Sequence, residues 1–383
     1  MNKPNQYDYI IAGSGCAGLS LAIQLQKSSV PFNKILLIDK DLKNKNDRTW
    51  CFWTDKENNW FDAIVFRKWN TFEFKSNRLE KKMNIAPFHY LMIKGVDFYN
   101  YCLRELKSDS RFDIKTETIY SIYSKDGEGV LETNIDKYSS SLIFNSAIRT
   151  HEKKSKHINY VQHFKGWVVE TKEEAFDPDC PTFMDFRIEQ ENDCRFVYVI
   201  PFSKTKALVE YTGFSPKALN ADEYDKHIQL YLRNYLNIQE YKIEETEYGE
   251  IPMAESEFIN PFGKNVINIG TAGGFSKPST GYTFYFIQKN ISQLVSQFKN
   301  ANRPIVSPSR KLKFYNYDRV FLDVMNSKKI EFRDVFTTLF KNNRIKTLLS
   351  FLNEETSIRE DLIIMNSVPK RYFIPSALKK WLS

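Results

Sequence analysis

The stretch Tyr9-Ile10-Ile11-Ala12-Gly13-Ser14-Gly15-Cys16-Ala17-Gly18 constrains this chain more than any other. Four apolar residues in a row read as a buried strand, and Leu21, Ala22 and Leu25 behind the glycines have helical spacing. The turn between them fits G-x-G-x-x-G in the context that gives the pattern meaning, a strand before and a helix after. Gly13 permits the tight turn, Gly15 lets a phosphate reach the backbone, and Gly18 lets helix and strand pack closely. Free N–H groups at Cys16 and Ala17, together with the helix dipole, favour an anion there. A second apolar strand, residues 35–38, ends at Asp39, followed by Lys40. A carboxylate about 20 residues beyond the last glycine can accept both hydroxyls of a ribose. These residues predict a βαβ unit that holds a dinucleotide diphosphate.

A second loop narrows the choice of dinucleotide. Residues 266–270 form a late apolar strand that runs into Gly270-Thr271-Ala272-Gly273-Gly274. In two-domain flavoproteins a similar late strand, turn and helix touches the ribityl chain and the flavin. A simple dehydrogenase has no need of it, so FAD is the expected cofactor. Thr271 stands where such loops carry an acid; it brings a hydroxyl and no charge. The expected fold is α/β, a doubly wound FAD/NAD(P)-binding fold with an inserted antiparallel-sheet substrate domain and a helical C-terminus. Residues 1–85 and 86–155 form the first parts of the FAD-binding domain, 156–258 mainly the substrate sheet, 259–300 the return to the first domain, and 301–383 the helical region. Within the substrate sheet, 160–170, 182–188, 195–200 and 207–212 read as strands. Asn220 and Glu223 have capping-box spacing at the start of a helix, and a further helix is expected from about Gly281.

Composition excludes several classes. Apolar residues make up 42 % of the 383, enough for a sizeable core. The five cysteines are odd in number and form no C-x-x-C pair, which suits a reduced, cytoplasmic setting without disulfides. His151, His157 and His163 match no metal spacing, so no metal is expected. The net charge of +8 favours anionic surfaces, but no nucleic-acid-reading signature accompanies it. The polar N-terminus has no leader pattern, and no apolar run reaches the ~18 residues of a membrane span.

Further blocks carry a resemblance. They are Arg48-Thr49-Trp50-Cys51-Phe52-Trp53, Gln162-His163-Phe164-Lys165-Gly166-Trp167, Phe183-Met184-Asp185-Phe186-Arg187, Val209-Glu210-Tyr211-Thr212, Ile251-Pro252-Met253 and Pro278-Ser279-Thr280-Gly281-Tyr282. With the two glycine loops, and in this order, the chain resembles the FAD-dependent lycopene cyclases of the bacterial and plant type over nearly its whole length. The resemblance implies a redox-neutral isomerisation of lycopene or a related linear carotene. A proton adds to the terminal double bond of a ψ end, the cation is attacked by the neighbouring double bond, and loss of a ring proton leaves a β-ionone ring. It also implies reduced FAD, with NAD(P)H as the electron source.

An alkene is a poor base, so its protonation needs a strong acid in a dry site. A carboxyl buried among apolar walls stays protonated at neutral pH. The cation then needs π-rich or negative surroundings and exclusion of water. Glu210 is the expected acid, sharing a strand face with Leu208 and Thr212. The family carries paired acids at this strand; Tyr211 replaces the second here. Arg48, Thr280 and Gly281 are expected near the cofactor, and Trp50, Phe52, Asp185, Arg187 and Pro278 near the substrate. For Asp185 and Arg187 a structural salt bridge is the competing reading, and for His163 a packing role. Phe351-Leu352-Asn353-Glu354-Glu355-Thr356 imitates the paired-acid string, but Glu354 and Glu355 read as helix-end charges.

Carotenes reside in bilayers, so the enzyme is expected to dock peripherally on the inner face of the cell membrane. The basic and apolar C-terminus, Lys370-Arg371-Tyr372-Phe373-Ile374 and Lys379-Lys380-Trp381-Leu382, suits that role, with a helix packed on the body and solvated lysines as the favoured competing reading. Other carotenoid enzymes are compatible partners. A flavin monooxygenase, a prenyl reductase and a non-catalytic carotenoid-binding flavoprotein share the fold and stand as alternatives.

Overall fold

The computed structural model describes residues 5–41, 43–147, 159–254, 260–300 and 311–381. Met1, His151, His157, Leu382 and the expected boundaries at 155 and 258 lie outside these residues.

Strand Gln6–Ala12, helix Cys16–Gln26 and strand Ile35–Asp39 form the predicted unit, the strands paired in parallel with Tyr9 opposite Ile35. Phe112–Thr116 extends the sheet on one side, and Lys137–Asn145 with Val266–Asn268 on the other, all in parallel. The apolar runs follow from this placement, because both faces are covered. Helices Cys16–Gln26, Gly95–Lys107 and Phe284–Asn300 cover one face through Leu21, Phe98 and Ile291. An antiparallel ribbon, Ile119–Lys125 and Glu128–Thr133, covers the other, where Ile122 and Leu131 join Ile10, Leu36 and Ile143. The fold is the expected α/β FAD-binding type, with strands rather than a helix on its second face.

The second sheet runs in the order Lys242–Ala254, Asn159–Glu170, Lys206–Ser215, Cys194–Pro201, Thr182–Asp185, Thr71–Ser76, Leu79–Asn84. Helix Ala221–Tyr235 lies on one face, packing Tyr224, Ile228 and Leu232 against Val197, Val209 and Tyr211. Its first turn carries the predicted cap, Asn220 N–H donating to Glu223 Oε2 at 2.7 Å. The other face meets helices Leu312–Asn326, Phe332–Asn342 and Ile345–Leu352 through Leu322, Phe336 and Leu349.

After Lys40 the chain makes a long excursion that leaves the parallel sheet, although residues 1–85 were expected in the FAD-binding domain. Thr71–Ser76 and Leu79–Asn84 edge the second sheet, and Thr49–Thr54, His89–Lys94 and Arg67–Trp69 form a three-stranded sheet of their own. Phe72 stacks on Phe183 and Phe74 on Phe340. Burial of these rings draws the segment to a sheet whose other strands lie far along the chain. The helix expected from about Gly281 begins at Phe284. Gly281 has φ +69°, and the turn closed by its N–H on the Lys277 carbonyl holds the chain out of helix.

Candidate active site

The N-terminal loop has the form an anion needs. A Cβ on Gly18 would stand 1.9 Å from the Gly13 carbonyl oxygen, so strand and helix approach closely only because Gly18 has no side chain. A Cβ on Gly15 would meet nothing within 4 Å, because Gly15 opens onto a cavity. Helix Cys16–Gln26 follows with no side-chain cap and no acid in its first turn, leaving its first N–H groups for a ligand. Asp39 borders the same cavity. Its Oδ2 accepts from Ser14 N–H at 2.6 Å and Ser14 Oγ at 3.1 Å, tying the loop to the end of the neighbouring strand. Lys40 and Arg48 line the cavity nearby.

The late loop closes on the first. A Cβ on Gly270, at φ +63°, would come within 2.8 Å of Ala17 Cβ. Gly270 and Thr271 line the cavity, whereas Ala272 and Gly273 lie behind them, a Cβ on Gly273 meeting the Asn268 carbonyl oxygen at 2.3 Å. Gly281 also lines it, and a Cβ there would overlap Gln162 Oε1 at 1.6 Å. Gln162 Oε1 and Tyr282 OH, both at the cavity wall, are buried without a hydrogen-bond partner, and buried polar atoms in that state point to a missing ligand. An uncapped helix start, a glycine open to the cavity, a carboxylate at the strand end and these orphaned oxygens fit a large dinucleotide such as FAD.

The cavity, ≈ 550 Å³, runs on from this loop to two carboxyl groups, Glu210 and Glu247. Glu210 lies on Lys206–Ser215 and faces the cavity with Leu208, as alternation predicts. Thr212 Oγ1 donates to its Oε1 at 3.2 Å. Tyr211 points the opposite way, to helix Ala221–Tyr235, where Arg195 donates to its hydroxyl at 3.3 Å. Burial pushes the Glu210 carboxyl well above the usual carboxylate range, and the Glu247 charge and a hydrogen bond to Glu247 push it further. Glu247 is raised by burial, opposed by hydrogen bonds from Glu210 and Thr49 and by the Arg48 charge. Among the described residues neither acid has an ion-pair partner within salt-bridge distance. The arrangement favours a proton at a cavity wall bordered by Trp50, Tyr90, Tyr198 and Tyr282.

The other expected residues separate. Trp50 lines the cavity, edge-on to Phe98 and Tyr99. Phe52, stacked on Phe284 at 4.5 Å, and Pro278 both lie outside the lining. Asp185 and Arg187 do not reach the cavity. Arg187 Nη2 pairs with Asp185 Oδ2 at 2.5 Å, and Tyr231 OH donates to the same oxygen at 2.8 Å. Tyr231 belongs to the helix on the far face, so that face draws Asp185 away from the site. His163 is packed: Ser215 Oγ lies 2.9 Å from Nε2 and Tyr224 OH 2.7 Å from Nδ1, and burial lowers its pKa to about 4. Glu354 does follow a helix end, but it is buried, 2.9 Å from Lys277 Nζ, which also lies 3.0 Å from Asp318. Glu355 accepts from Tyr285 OH at 2.5 Å.

The family model described as lycopene cyclase protein matches residues 8–377. The chain belongs to the lycopene cyclase family. It is 24 % identical over 290 residues to a lycopene beta-cyclase of Pantoea ananas, covering 72 % of this chain and 71 % of that protein. It is 25 % identical over 306 residues to a chloroplastic neoxanthin synthase of Solanum lycopersicum, covering 72 % of this chain but 57 % of that one. Among solved structures, a flavoprotein/dehydrogenase from Cytophaga hutchinsonii superposes with a TM-score of 0.64 at 13 % identity, over 98 % of this chain and 99 % of that one. A geranylgeranyl bacteriochlorophyll reductase-like protein from Thermoplasma acidophilum gives 0.60 at 12 % identity, over 98 % of each chain. Halogenase PltM, solved with phloroglucinol and FAD, gives 0.58 at 14 % identity, over 94 % of this chain and 85 % of that one. These likenesses establish the fold.

Sequence reasoning missed Glu247, because its strand carries acids on both faces and nothing local sets one apart. The available signal was Gly166, a glycine inside a long strand, which marks a close approach of something from outside.

Proposed function

We propose that the protein is a lycopene beta-cyclase that converts the ψ ends of lycopene, or of a closely related linear carotene, to β-ionone rings without net redox change. One observation carries the reading: a single cavity joins the dinucleotide loop at Gly15 to the half-buried carboxyl of Glu210. In this reading Glu210 donates its proton to the terminal double bond. The neighbouring double bond closes the ring on the resulting cation, and a ring proton leaves. Trp50, Tyr90 and Tyr198 present aromatic surface to the cation, and their bulk excludes the water that would hydrate it. FAD, in reduced form with NAD(P)H as electron source, would be held by Gly13, Gly15, Cys16, Ala17, Asp39, Gly270 and Thr271 and would supply an electron-rich ring beside the cation. Gly18, Ala272, Gly273 and Thr280 support that site by packing.

The substrate reaches the site from a bilayer. No helix among the described residues is long and apolar enough to cross a membrane. Ile358, Leu362 and Ile363 on helix Ile358–Ser367, and Ile374 and Leu378 on helix Lys370–Trp381, are more than half exposed. Lys370 and Arg371 stand beside them, whereas Lys379 and Lys380 both approach Asp323. Large apolar groups next to cations favour an anionic lipid surface.

Expression in lycopene-accumulating cells tests the activity, with the pigments resolved by chromatography and mass. Ring formation at unchanged mass is expected; a mass change would indicate hydroxylation or reduction, and unaltered lycopene would remove the assignment. Leu362→Asp with Ile363→Asp is expected to reduce flotation with anionic vesicles. Equal flotation of variant and wild type would remove the docking surface.

A further inference from the structure

We propose that Glu247 is the catalytic base of this site: it takes the proton that the ring loses and returns it to Glu210 through the contact between the two carboxyls. The inference rests on the cyclase reading and deepens it.

The contact follows from an unusual arrangement of strands. Lys206–Ser215 and Lys242–Ala254 are not neighbours, because Asn159–Glu170 runs between them and pairs with both. Two intervals of about 4.8 Å separate the outer backbones, and a side chain on the middle strand would ordinarily fill the gap. The middle residue is Gly166, registered opposite Glu210 on one side and Glu247 on the other. A Cβ there would stand 3.4 Å from Glu210 Cβ, 3.2 Å from Glu247 Cγ and 2.8 Å from Leu208 Cδ1. The missing side chain is what lets the two acids converge.

Two carboxyls brought together across Gly166 repel each other when both are ionised, so the pair favours holding one proton between its members. The surroundings decide where it rests. Arg48 and Thr49 favour charge on Glu247, against Glu245 on the same strand. Glu210 has only the Thr212 hydroxyl. Cys51 and Tyr198 also feel the pair, and burial keeps both neutral. The proton therefore sits on Glu210 and the charge on Glu247. Glu247 Oε1, buried without a protein donor, is free to accept.

Cyclisation adds a proton at one carbon and removes one from another. The Glu210 O–H bond breaks as a C–H bond forms at the terminal alkene, and the ring C–C bond closes. A ring C–H bond then breaks as an O–H bond forms on Glu247. Transfer of that proton to Glu210 restores the starting state, with no oxidant, reductant or external base consumed. During the cationic stage both carboxylates face the positive charge.

The test compares wild type, Glu247→Gln, Glu247→Asp and Gly166→Ala, each with its flavin absorbance recorded. Glu247→Gln is expected to keep flavin and lose at least ~100-fold in turnover, with partial recovery in Glu247→Asp. Removing the neighbouring negative charge lowers the Glu210 pKa, so the alkaline limb of residual activity moves to lower pH. An infrared titration of the protonated-carboxyl band reads the pair without turnover. The band should persist above the ordinary carboxylate range in wild type and titrate at lower pH in Glu247→Gln and in Gly166→Ala, where a methyl group separates the acids. Wild-type turnover with an unmoved alkaline limb in Glu247→Gln, or a band that neither variant shifts, would overturn the proposal. Absence of ring formation by wild type would defeat the cyclase reading instead, and the band would still report on the pair.

Discussion

Asp185 and Glu210 stand on the same sheet, antiparallel but for the parallel pairing of Thr182–Asp185 with Thr71–Ser76, and face opposite ways. Asp185 is fully buried and fully answered: Arg187 lies 2.5 Å from one oxygen, and Tyr231 donates to it as well. Glu210 is half-buried at the cavity wall beside another acid, with one hydroxyl as its neutral donor. The first arrangement offsets the cost of burying a charge and ties strand to helix. The second leaves that cost in place and keeps a proton where one is ordinarily lost. Burial alone thus does not single out the proposed acid; what distinguishes Glu210 from Asp185 is its place at the wall of a cavity without a compensating cation.

The comparison is tested most sharply at Glu210. Glu210→Gln is expected to lower cyclisation by about 10²–10⁴-fold while flavin absorbance is retained, and product yield per bound flavin measures it. Near-normal yield would make Glu210 another Asp185. Asp185→Asn should do the reverse, losing about 2–3 kcal/mol of stability in a denaturant titration, with turnover per folded molecule unchanged. A smaller effect is expected at the dinucleotide end. Gly15→Ala meets no protein atom, so thermal stability of the flavin-free protein should hold within about 1 kcal/mol while the FAD dissociation constant rises about tenfold, or ~1.4 kcal/mol. The smallest effect is in pH dependence. The folded Glu210 carboxyl binds its proton more tightly than the unfolded one. Folding stability therefore declines as pH rises from the ordinary glutamate range toward the raised value. Glu210→Gln removes that decline and should gain about 1 kcal/mol on wild type as pH rises out of the ordinary glutamate range, read from paired melting curves. Parallel curves would place Glu210 in an ordinary solvated state.

Legibility differed between the two ends of the cavity for a physical reason. The residues of the dinucleotide loop, Gly13, Gly15, Gly18 and Asp39, lie within one βαβ unit, so short-range spacing announces them. Glu210 was legible by strand alternation together with the family blocks. The excursion through Phe72 and Phe74 was not, because its partners Phe183 and Phe340 are distant in sequence. Asp185 and Arg187 were read at the pocket, but alternation says only that two residues share a face; here the face belongs to helix Ala221–Tyr235. Glu354, read as a helix-end charge, is held inside by Lys277 on the late loop, a contact between segments no local pattern connects.

Sequence alone was enough for the parallel α/β unit, its glycine-rich turn and the strand that carries Glu210. Each depends on local periodicity and on what glycine permits over a few residues. Only the tertiary structure decided that Glu210 has Glu247 for a neighbour, because that meeting depends on the order of three strands and on Gly166 lying between the acids in register. A glycine inside a strand announces that something approaches; which groups approach is fixed by sheet topology, and with it whether a buried acid is answered by a cation or by a second acid.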